Sequence, residues 1–182
     1  DVYKRQLNHR GWCELRIGRP DLAYRTFEEA IRLYPDDKLI VGNYLYCSNY
    51  PQGISDEELF DRHRRFESVA CKMVEECGAA IVRPESARSG KIKVGFISPD
   101  FFDHSVSYFL LGVLKRMDRT QFEISCYHCS LKRDGITVEF EQSCDRFKSL
   151  NGLTTREAVQ LVIDDGLDVA IDLAGHTGDN RL

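Results

Sequence analysis

Two histidines in the sequence follow apolar runs and stand among other polar residues. His104 ends the segment "SPDFFDH" (residues 98–104), which also contains Asp100. A second segment, "DLAGHTGDNR", carries five further candidates: Asp172, Gly175, His176, Thr177 and Arg181. A histidine at a helix start lies at the positive end of the helix dipole, which disfavours the charged imidazole. A neutral imidazole can accept a proton or hydrogen-bond a substrate hydroxyl near neutral pH.

These residues need a framework that brings them together, and residues 91–182 alternate between strand and helix patterns. The run "KIKVGFIS" shows no surface alternation, as expected for a strand buried on both faces, and "LDVAIDLAG" predicts another buried strand. A helix over "HSVSYFLLGVLKRM" lies between the first two strands, with Ser105 as a plausible cap. The alternation predicts an open, mostly parallel α/β sheet. Ligands bind at the carboxyl ends of such strands, so both polar segments are expected at one edge.

The segment from Gly175 to Gly178 adds a flexible backbone with free amides near a helix start, which suits phosphate or sugar oxygens. One histidine at a helix start, taken alone, is better interpreted as a capping or packing residue. Two histidines on the same predicted edge, beside Asp, Thr, Asn and Gly, favour a functional site.

Residues 7–37 have the helix, turn and helix pattern of a tetratricopeptide repeat. Gly11 is the small residue that lets the paired helices approach, and Pro35 closes the unit. The packing face of the second helix consists of Ala23, Phe27 and Ala30. A single repeat cannot bury its own faces, so further repeats are expected to precede it.

Residues 38–80 are predicted to form linker helices. The first ends near Pro51, and the second begins at a capping box of Ser55 and Glu58 and runs to about Cys77. Seven residues lie near one face of the second helix: Leu59, Phe60, His63, Phe66, Val69, Ala70 and Met73. Its arginines are interpreted as a solvated face: Arg62, Arg64 and Arg65. Residues 81–90 are polar and contain proline and glycine, which predicts a linker to the domain at 91–182.

Composition excludes several functional classes. The 25 basic and 29 acidic residues are well mixed, and a net charge of -4 gives no field that would attract nucleic acid or an anionic membrane. No apolar run approaches the roughly 18 residues of a membrane span, and no signal peptide opens the chain. A cytoplasmic protein is therefore expected.

The seven cysteines are scattered through periodic segments, which indicates reduced, mostly buried thiols. Cys126 and Cys129 resemble a metal or redox pair, but an odd separation in a strand places their side chains on opposite faces. No second ligand pair accompanies them, so no metal site is expected.

The first six residues, "DVYKRQ", resemble the translation of a sequencing-adaptor sequence. Residues 1–6 are therefore excluded from the fold prediction. Both ends of the chain are treated as possible truncations.

Four stretches of the sequence together resemble one family. They are the tetratricopeptide pattern, "SDEELFDRHRRF", "KIKVGFISPDFFDHSVSYFLLGVL" with "FEISCYHCS", and "DGLDVAIDLAGHTGDNRL". In order and spacing these resemble the protein O-linked N-acetylglucosamine transferases, including SPINDLY-like members, over residues 7–182. The resemblance implies a Rossmann-like first lobe of a GT-B glycosyltransferase, preceded by an all-α tetratricopeptide repeat and linker helices. It also implies transfer of N-acetylglucosamine from UDP-N-acetylglucosamine to Ser or Thr hydroxyls, with inversion and without a metal.

The resemblance also assigns roles to residues. His104 matches an active-site histidine regarded as a base or a substrate-positioning group. Thr177 matches a threonine near the donor sugar and phosphates. The remaining residues of the two motifs are implied to bind substrate or donor: Asp100, Asp172, Gly175, His176 and Arg181. Animal enzymes tend to carry tyrosine at the position of His176. A histidine there resembles the bacterial members of the family instead.

The family's second lobe, with most nucleotide contacts, does not occur in these 182 residues, so they are expected to be inactive alone. Protein acceptors are implied to bind through the repeats. Three alternatives stay open: a SPINDLY-like O-fucosyltransferase using GDP-fucose, a repeat scaffold with a degenerate α/β module that only binds partners, and a nucleotide-sugar epimerase. The last leaves the repeat unexplained.

Overall fold

A computed structural model describes residues 1–64, 66–78, 90–178 and 180–181. The chain divides into two compact units, Asp1–Glu76 and Cys77–Leu182, which are described separately. The predicted linker at 81–90 lies outside the described residues except for Gly90, and the boundaries predicted from the sequence stay predictions. Within the described ranges, no helix combines the length and apolar character needed to span a bilayer.

The first unit is helical. Its helices are α1 (Val2–Arg16), α2 (Pro20–Leu33), α3 (Lys38–Cys47), α4 (Asp56–Arg64) and α5 (Phe66–Cys77). Residues 1–6 were predicted to be an adaptor translation; in the structure residues 2–6 form the start of α1, and the Asp1 side chain caps that helix. Their origin stays a prediction, because a helical conformation does not reveal how a segment arose.

Helices α1 and α2 pack closely because Gly11 has no side chain. A Cβ atom at Gly11 would lie 2.6 Å from Cζ of Phe27, which is 1% exposed. Ala23 and Ala30 are fully buried beside it, so the predicted packing face of α2 is correct. Gly18, with a φ of 78°, forms the turn that precedes Pro20 at the start of α2.

The later helices of this unit differ in part from the prediction. Helix α3 ends at Cys47, before the predicted end near Pro51. Phe66 and Met73 pack against the cluster that contains the buried Val69, as predicted. Phe60 is 64% exposed, which contradicts its predicted place on the apolar face. No residue of α4 is buried. The apolar periodicity of α4 therefore identifies a face that the rest of the unit covers only in part.

The second unit is a three-layer α/β structure. Its elements are β1 (Ile92–Ser98), α6 (Ser105–Leu114), β2 (Phe122–His128), α7 (Gly135–Ser143), β3 (Arg146–Ser149), α8 (Thr155–Asp164) and β4 (Val169–Asp172). The strands are parallel in the order β3-β2-β1-β4, so the predicted parallel α/β sheet is confirmed. One face of the sheet packs against Leu110 and Leu114 of α6 and Phe140 of α7. The other face packs against Ala158 and Leu161 of α8.

The last strand is shorter and more exposed than its sequence predicted. Its four residues are exposed or half-buried, and Val169 is 43% exposed. Strand β4 lies at the outer end of the sheet, where among the described strands it pairs with β1. Its apolar composition therefore does not correspond to burial on both faces in this unit.

Candidate active site

The two polar segments predicted to lie at one edge of the sheet leave neighbouring strands. Strand β1 lies between β2 and β4, with Ser98 opposite His128 and Ile97 opposite Asp172. Backbone hydrogen bonds continue the pairing beyond the strand ends, from Cys129 N to Ser98 O and from Leu173 N to Ile97 O, each 3.0 Å. The loops after β1, β2 and β4 therefore start side by side on the carboxyl edge of the sheet.

The loop after β1 is held by its own hydrogen bonds. The buried Ser98 hydroxyl accepts from Asp100 N at 3.0 Å, and Ser107 donates its hydroxyl hydrogen to the carbonyls of Asp100 and Phe102 at 3.2 and 2.5 Å. Phe101 is fully buried, with its ring 4.8 Å from that of Phe140. This packing fixes the backbone that leads to His104.

His104 itself caps α6, and Ser105 is the first residue of that helix. This corrects the prediction of Ser105 as cap. His104 has an extended backbone, and its Nδ1 accepts a hydrogen bond from Val106 N at 3.3 Å. A carboxylate oxygen, Oδ2 of Asp100, lies 3.8 Å from the same Nδ1. The side chain of His104 is 40% exposed and that of Asp100 18%.

This geometry selects a tautomer of the neutral imidazole. Because Nδ1 accepts the Val106 N–H, the ring proton of neutral His104 lies on Nε2. In that state Nε2–H is a donor suited to holding a substrate oxygen. Accepting a proton at Nε2 requires the ring proton to move to Nδ1, where Asp100 is the carboxylate in position to stabilise it.

The loop after β4 is a tight turn. Asp172 Oδ2 accepts from Gly175 N at 2.6 Å, and Gly175 has a φ of 54°. Thr177 donates both its N–H and its hydroxyl hydrogen to Ala174 O, at 3.1 and 2.7 Å. The amides of Gly175 and Thr177 are thus used within the turn, which corrects the prediction that they are free. The helix start predicted near this segment stays a prediction.

Arg181 lies on the same edge but bonds to the protein. Its Nη1 and Nη2 donate to the carbonyls of Leu153 and Leu150 at 3.2 and 2.8 Å, in the loop after β3. Both bonds are to backbone, so they join the chain end to the loop that connects β3 and α8.

A third loop belongs to this edge, and the sequence interpretation missed it. After β2, Asp134 caps α7 through Oδ1 and accepts from Asp103 N through Oδ2 at 2.8 Å. That hydrogen bond lowers the pKa of Asp134. Lys132 lies in the same loop with its Nζ 3.9 Å from the centre of the Phe102 ring, and its carbonyl contacts Nε2 of the buried His128 at 2.9 Å. The capping pattern from Asp134 to Thr137, six residues after the end of β2, is the signal that predicts such a loop.

Among the described residues, no group of three His, Cys, Asp or Glu side chains is placed to hold an ion. Cys126 lies in the cluster with Phe96 and Phe140, while Cys129 lies in the cluster with Tyr127 and Ala158. The CxxC pair is therefore divided between the two faces of the sheet, as predicted.

Comparison with known proteins adds a family and a fold. Glycosyl transferase family 41 matches residues 61–182. A protein of Hordeum vulgare named "Probable UDP-N-acetylglucosamine--peptide N-acetylglucosaminyltransferase SPINDLY" is 30% identical over 81% of this chain and 16% of its own length. The Arabidopsis thaliana protein of that name is 29% identical over 83% of this chain and 17% of its own length. The chain thus spans about one sixth of these relatives.

Among the solved structures that match, the following resembles this chain along nearly its whole length. It is the K341M mutant of a Thermobaculum terrenum O-GlcNAc transferase, with a TM-score of 0.82 and 23% identity over 98% of this chain and 34% of the other. At that identity the likeness establishes the fold alone.

Proposed function

The chain belongs to glycosyl transferase family 41, and from that premise we propose that it is part of an inverting protein O-glycosyltransferase. The proposed reaction moves N-acetylglucosamine from UDP-N-acetylglucosamine to Ser or Thr hydroxyls of acceptor proteins. The names of the plant relatives state a UDP-N-acetylglucosamine donor and a peptide acceptor, which supports this choice.

The observation that carries the proposal is the position of His104. It stands on the carboxyl edge of the sheet, half-exposed, on a loop fixed by Ser98 and Phe101. In its Nε2–H form it holds the acceptor hydroxyl or a sugar oxygen. If it takes the acceptor proton, the imidazole first exchanges its Val106 bond for one to Asp100, which lies 3.8 Å away.

The loop after β4 is proposed to meet the donor. Asp172 orients the turn through Gly175, so that His176 and Thr177 are presented beside the loop of His104. Thr177 retains an acceptor oxygen after donating to Ala174. Arg181 is proposed to act indirectly, by fixing the loop after β3. We propose that the reaction needs no metal ion, so chelation with EDTA should leave activity unchanged.

The first unit is proposed to be a tetratricopeptide repeat that presents acceptor proteins. The close packing of Gly11 on Phe27 and the buried Ala23 and Ala30 support this assignment. A cytoplasmic enzyme is proposed because the described cysteines are free thiols, the state kept in a reducing compartment.

The test uses the complete reading frame of the enzyme, purified and incubated with a peptide library and either UDP-N-acetylglucosamine or GDP-fucose. Mass spectrometry should detect N-acetylhexosamine on Ser or Thr. Transfer of fucose alone would favour the alternative of an O-fucosyltransferase. Absence of transfer from either donor would favour the alternative of a binding module without catalytic activity. We expect no turnover from the 182 residues alone, since the resemblance assigns most nucleotide contacts to a second lobe.

His104→Asn tests the site itself. Asparagine is a good helix cap, so α6 is retained while Nε2 is lost. We expect kcat to fall by about 100-fold or more, the effect of removing a positioned acid or base, with an unchanged melting temperature. Lys115→Ala, at the opposite end of α6, is the matched control and should keep full activity. Full activity in His104→Asn would refute the assigned site.

A further inference from the structure

Lys132 lies in the loop after β2, beside the loop that carries His104. Its ammonium is 3.9 Å from the centre of the Phe102 ring. The same ring packs edge-on against His104, with 5.7 Å between the two ring centres, and Phe102 is only 9% exposed. The ammonium and the imidazole centre are therefore at most about 10 Å apart, which is the length of about three extended residues.

Hydrogen bonds hold the backbone at Lys132 in this position. Its carbonyl contacts Nε2 of the buried His128 at 2.9 Å, and its N–H donates to Oγ of Ser130 at 3.1 Å. Two residues further on, Asp134 accepts a 2.8 Å hydrogen bond from Asp103 N, which joins the loops after β1 and β2. Together with the attraction between an ammonium and an aromatic ring, these bonds hold the cation beside the candidate site.

The charge of Lys132 is available to a ligand. The residue is exposed, and among the described residues its ammonium forms no ion pair. The other two cations in the described parts of the loops after β1, β2 and β4 have partners within the protein: Arg133 contacts Glu141, and Arg181 donates to two backbone carbonyls. An ammonium with N–H donors that are not used by the protein is suited to an anion of the substrate.

The strand order indicates which substrate supplies that anion. Strand β1 lies between β2 and β4, so the loops of Lys132 and Thr177 flank the loop of His104 from opposite sides. The loop of Thr177 is the one proposed to meet the donor, which leaves the side of Lys132 to the acceptor. In an unmodified peptide, the anions within three residues of the acceptor hydroxyl are carboxylates of aspartate or glutamate. The exposed Asp103 and Asp172 disfavour such a carboxylate elsewhere on this edge, so the preference should depend on its position.

On the basis of the proposed function, we propose that Lys132 selects acceptor proteins with an aspartate or glutamate within three residues of the modified Ser or Thr. The ammonium pairs with that carboxylate while His104 holds the acceptor hydroxyl. Lys132 is in this arrangement a specificity-determining residue and takes no part in proton transfer. An exposed ion pair strengthens binding roughly two- to fivefold, which sets the size of the expected preference.

The test uses the complete reading frame of the enzyme, UDP-N-acetylglucosamine and synthetic peptides that share one acceptor serine. Each peptide carries aspartate at one of the three positions on either side of the serine, and a matched peptide carries asparagine there. We expect kcat/KM to be roughly two- to fivefold higher with aspartate than with asparagine at the position that reaches Lys132. The preference should disappear at about 1 M salt, where exposed charges are screened.

Variants identify the residue that recognises the carboxylate. Lys132→Gln should abolish the preference for aspartate, and Lys132→Glu should replace it by a preference for lysine at the same peptide position. Lys91→Gln is the matched control, because Lys91 is an exposed cation that precedes β1, at the opposite edge of the sheet. It should keep the wild-type preference.

The outcomes separate this inference from the proposed function. Sugar transfer with equal kcat/KM for the aspartate and asparagine peptides at every position would overturn the role of Lys132 alone. A preference for aspartate retained in Lys132→Gln, together with a raised KM for UDP-N-acetylglucosamine, would assign the ammonium to the donor phosphates and also overturn it. Absence of transfer by the wild-type enzyme would refute the proposed function and this inference with it.

Discussion

Asp165 is the buried charge on which the second unit is expected to depend most. Its side chain is 8% exposed and accepts a 2.7 Å hydrogen bond from the hydroxyl of Tyr127, which is fully buried. Lys148 Nζ bonds both carboxylate oxygens at 2.5 and 2.8 Å, and Arg146 Nη1 lies 3.4 Å from Oδ1. One carboxylate thus joins β2, β3 and the end of α8.

The destabilisation expected from Asp165→Ala depends on how exposed its three partners are. The Tyr127 hydroxyl would remain buried without its acceptor, at a cost of about 1–3 kcal/mol. Lys148 and Arg146 are 34% and 42% exposed, so they can turn to water, and each lost pair costs only about 0.2–1 kcal/mol. We therefore expect Asp165→Ala to lower the free energy of unfolding of the second unit by about 2–4 kcal/mol. This is less than the effect of breaking a fully buried ion pair.

Native-state hydrogen exchange of the amides in β2 and β3 measures this loss within the second unit. A loss of about 2 kcal/mol accelerates exchange roughly thirtyfold where opening requires unfolding of the sheet. Asp164→Ala is the matched control, since Asp164 is exposed and adjacent in sequence. If Asp165→Ala changes exchange no more than Asp164→Ala does, the assigned role of the network is refuted.

The same network predicts a pH dependence. Burial would raise the pKa of Asp165, but hydrogen bonds from Lys148 and Tyr127 and the charges of Lys148 and Arg146 outweigh it and lower the pKa. A carboxylate whose folded pKa lies below its unfolded value, about 3.9, stabilises the fold fully above that value. The stabilisation is lost as pH falls through the folded pKa. The stability difference between wild type and Asp165→Asn should therefore shrink on acidification.

Three further substitutions test other contacts. Gly95→Ala should destabilise the sheet by about 1–3 kcal/mol in urea unfolding, because its Cβ would lie 2.3 Å from Cδ1 of Leu167 and 3.0 Å from Cε2 of Tyr127. Gly112→Ala, in α6, would meet only the mobile end of Arg116 at 3.3 Å, so a stabilisation of about 0.5–1 kcal/mol is expected and a loss of stability would contradict this packing. Asp134→Ala should lower the melting temperature and speed exchange of the Asp103 amide, whereas slow exchange there would show that the link between the loops is unimportant.

The sequence predicted the elements of the second unit because their signals are local. A run such as "KIKVGFIS" has the composition of a buried strand, and Val94 and Phe96 are 5% and 6% exposed. That the loops of His104 and Asp172 lie at the same edge followed from parallel topology. That they leave neighbouring strands was not predicted, because the sequence does not give the strand order. Periodicity could not predict which neighbour covers a face of α4: Phe60 is 64% exposed, while the side chain of Arg62, predicted to face solvent, is only 13% exposed.

The site was predicted less completely because several of its contacts join distant residues. The hydrogen bond from Asp103 N to Asp134 spans 31 positions, and the bond from Arg181 to Leu150 also spans 31. Sequence reasoning therefore identified the residues of two loops but missed the third, which supplies Lys132 and Asp134. It also assigned the α6 cap to Ser105, because serine is a frequent cap and histidine is not.

The capping role of His104 restricts the chemistry that the site can perform. A histidine that accepts a backbone N–H at Nδ1 is ordered without a substrate, so less entropy is lost on binding. The same bond opposes proton uptake at Nε2, because the ring would then have to carry its other proton on Nδ1, against the N–H of Val106. A general-base role therefore depends on Asp100 closing the 3.8 Å gap, while a positioning role requires no movement. Asp100→Asn separates the two roles: it should lower kcat sharply if His104 is the base, and leave kcat nearly unchanged if His104 only positions the acceptor.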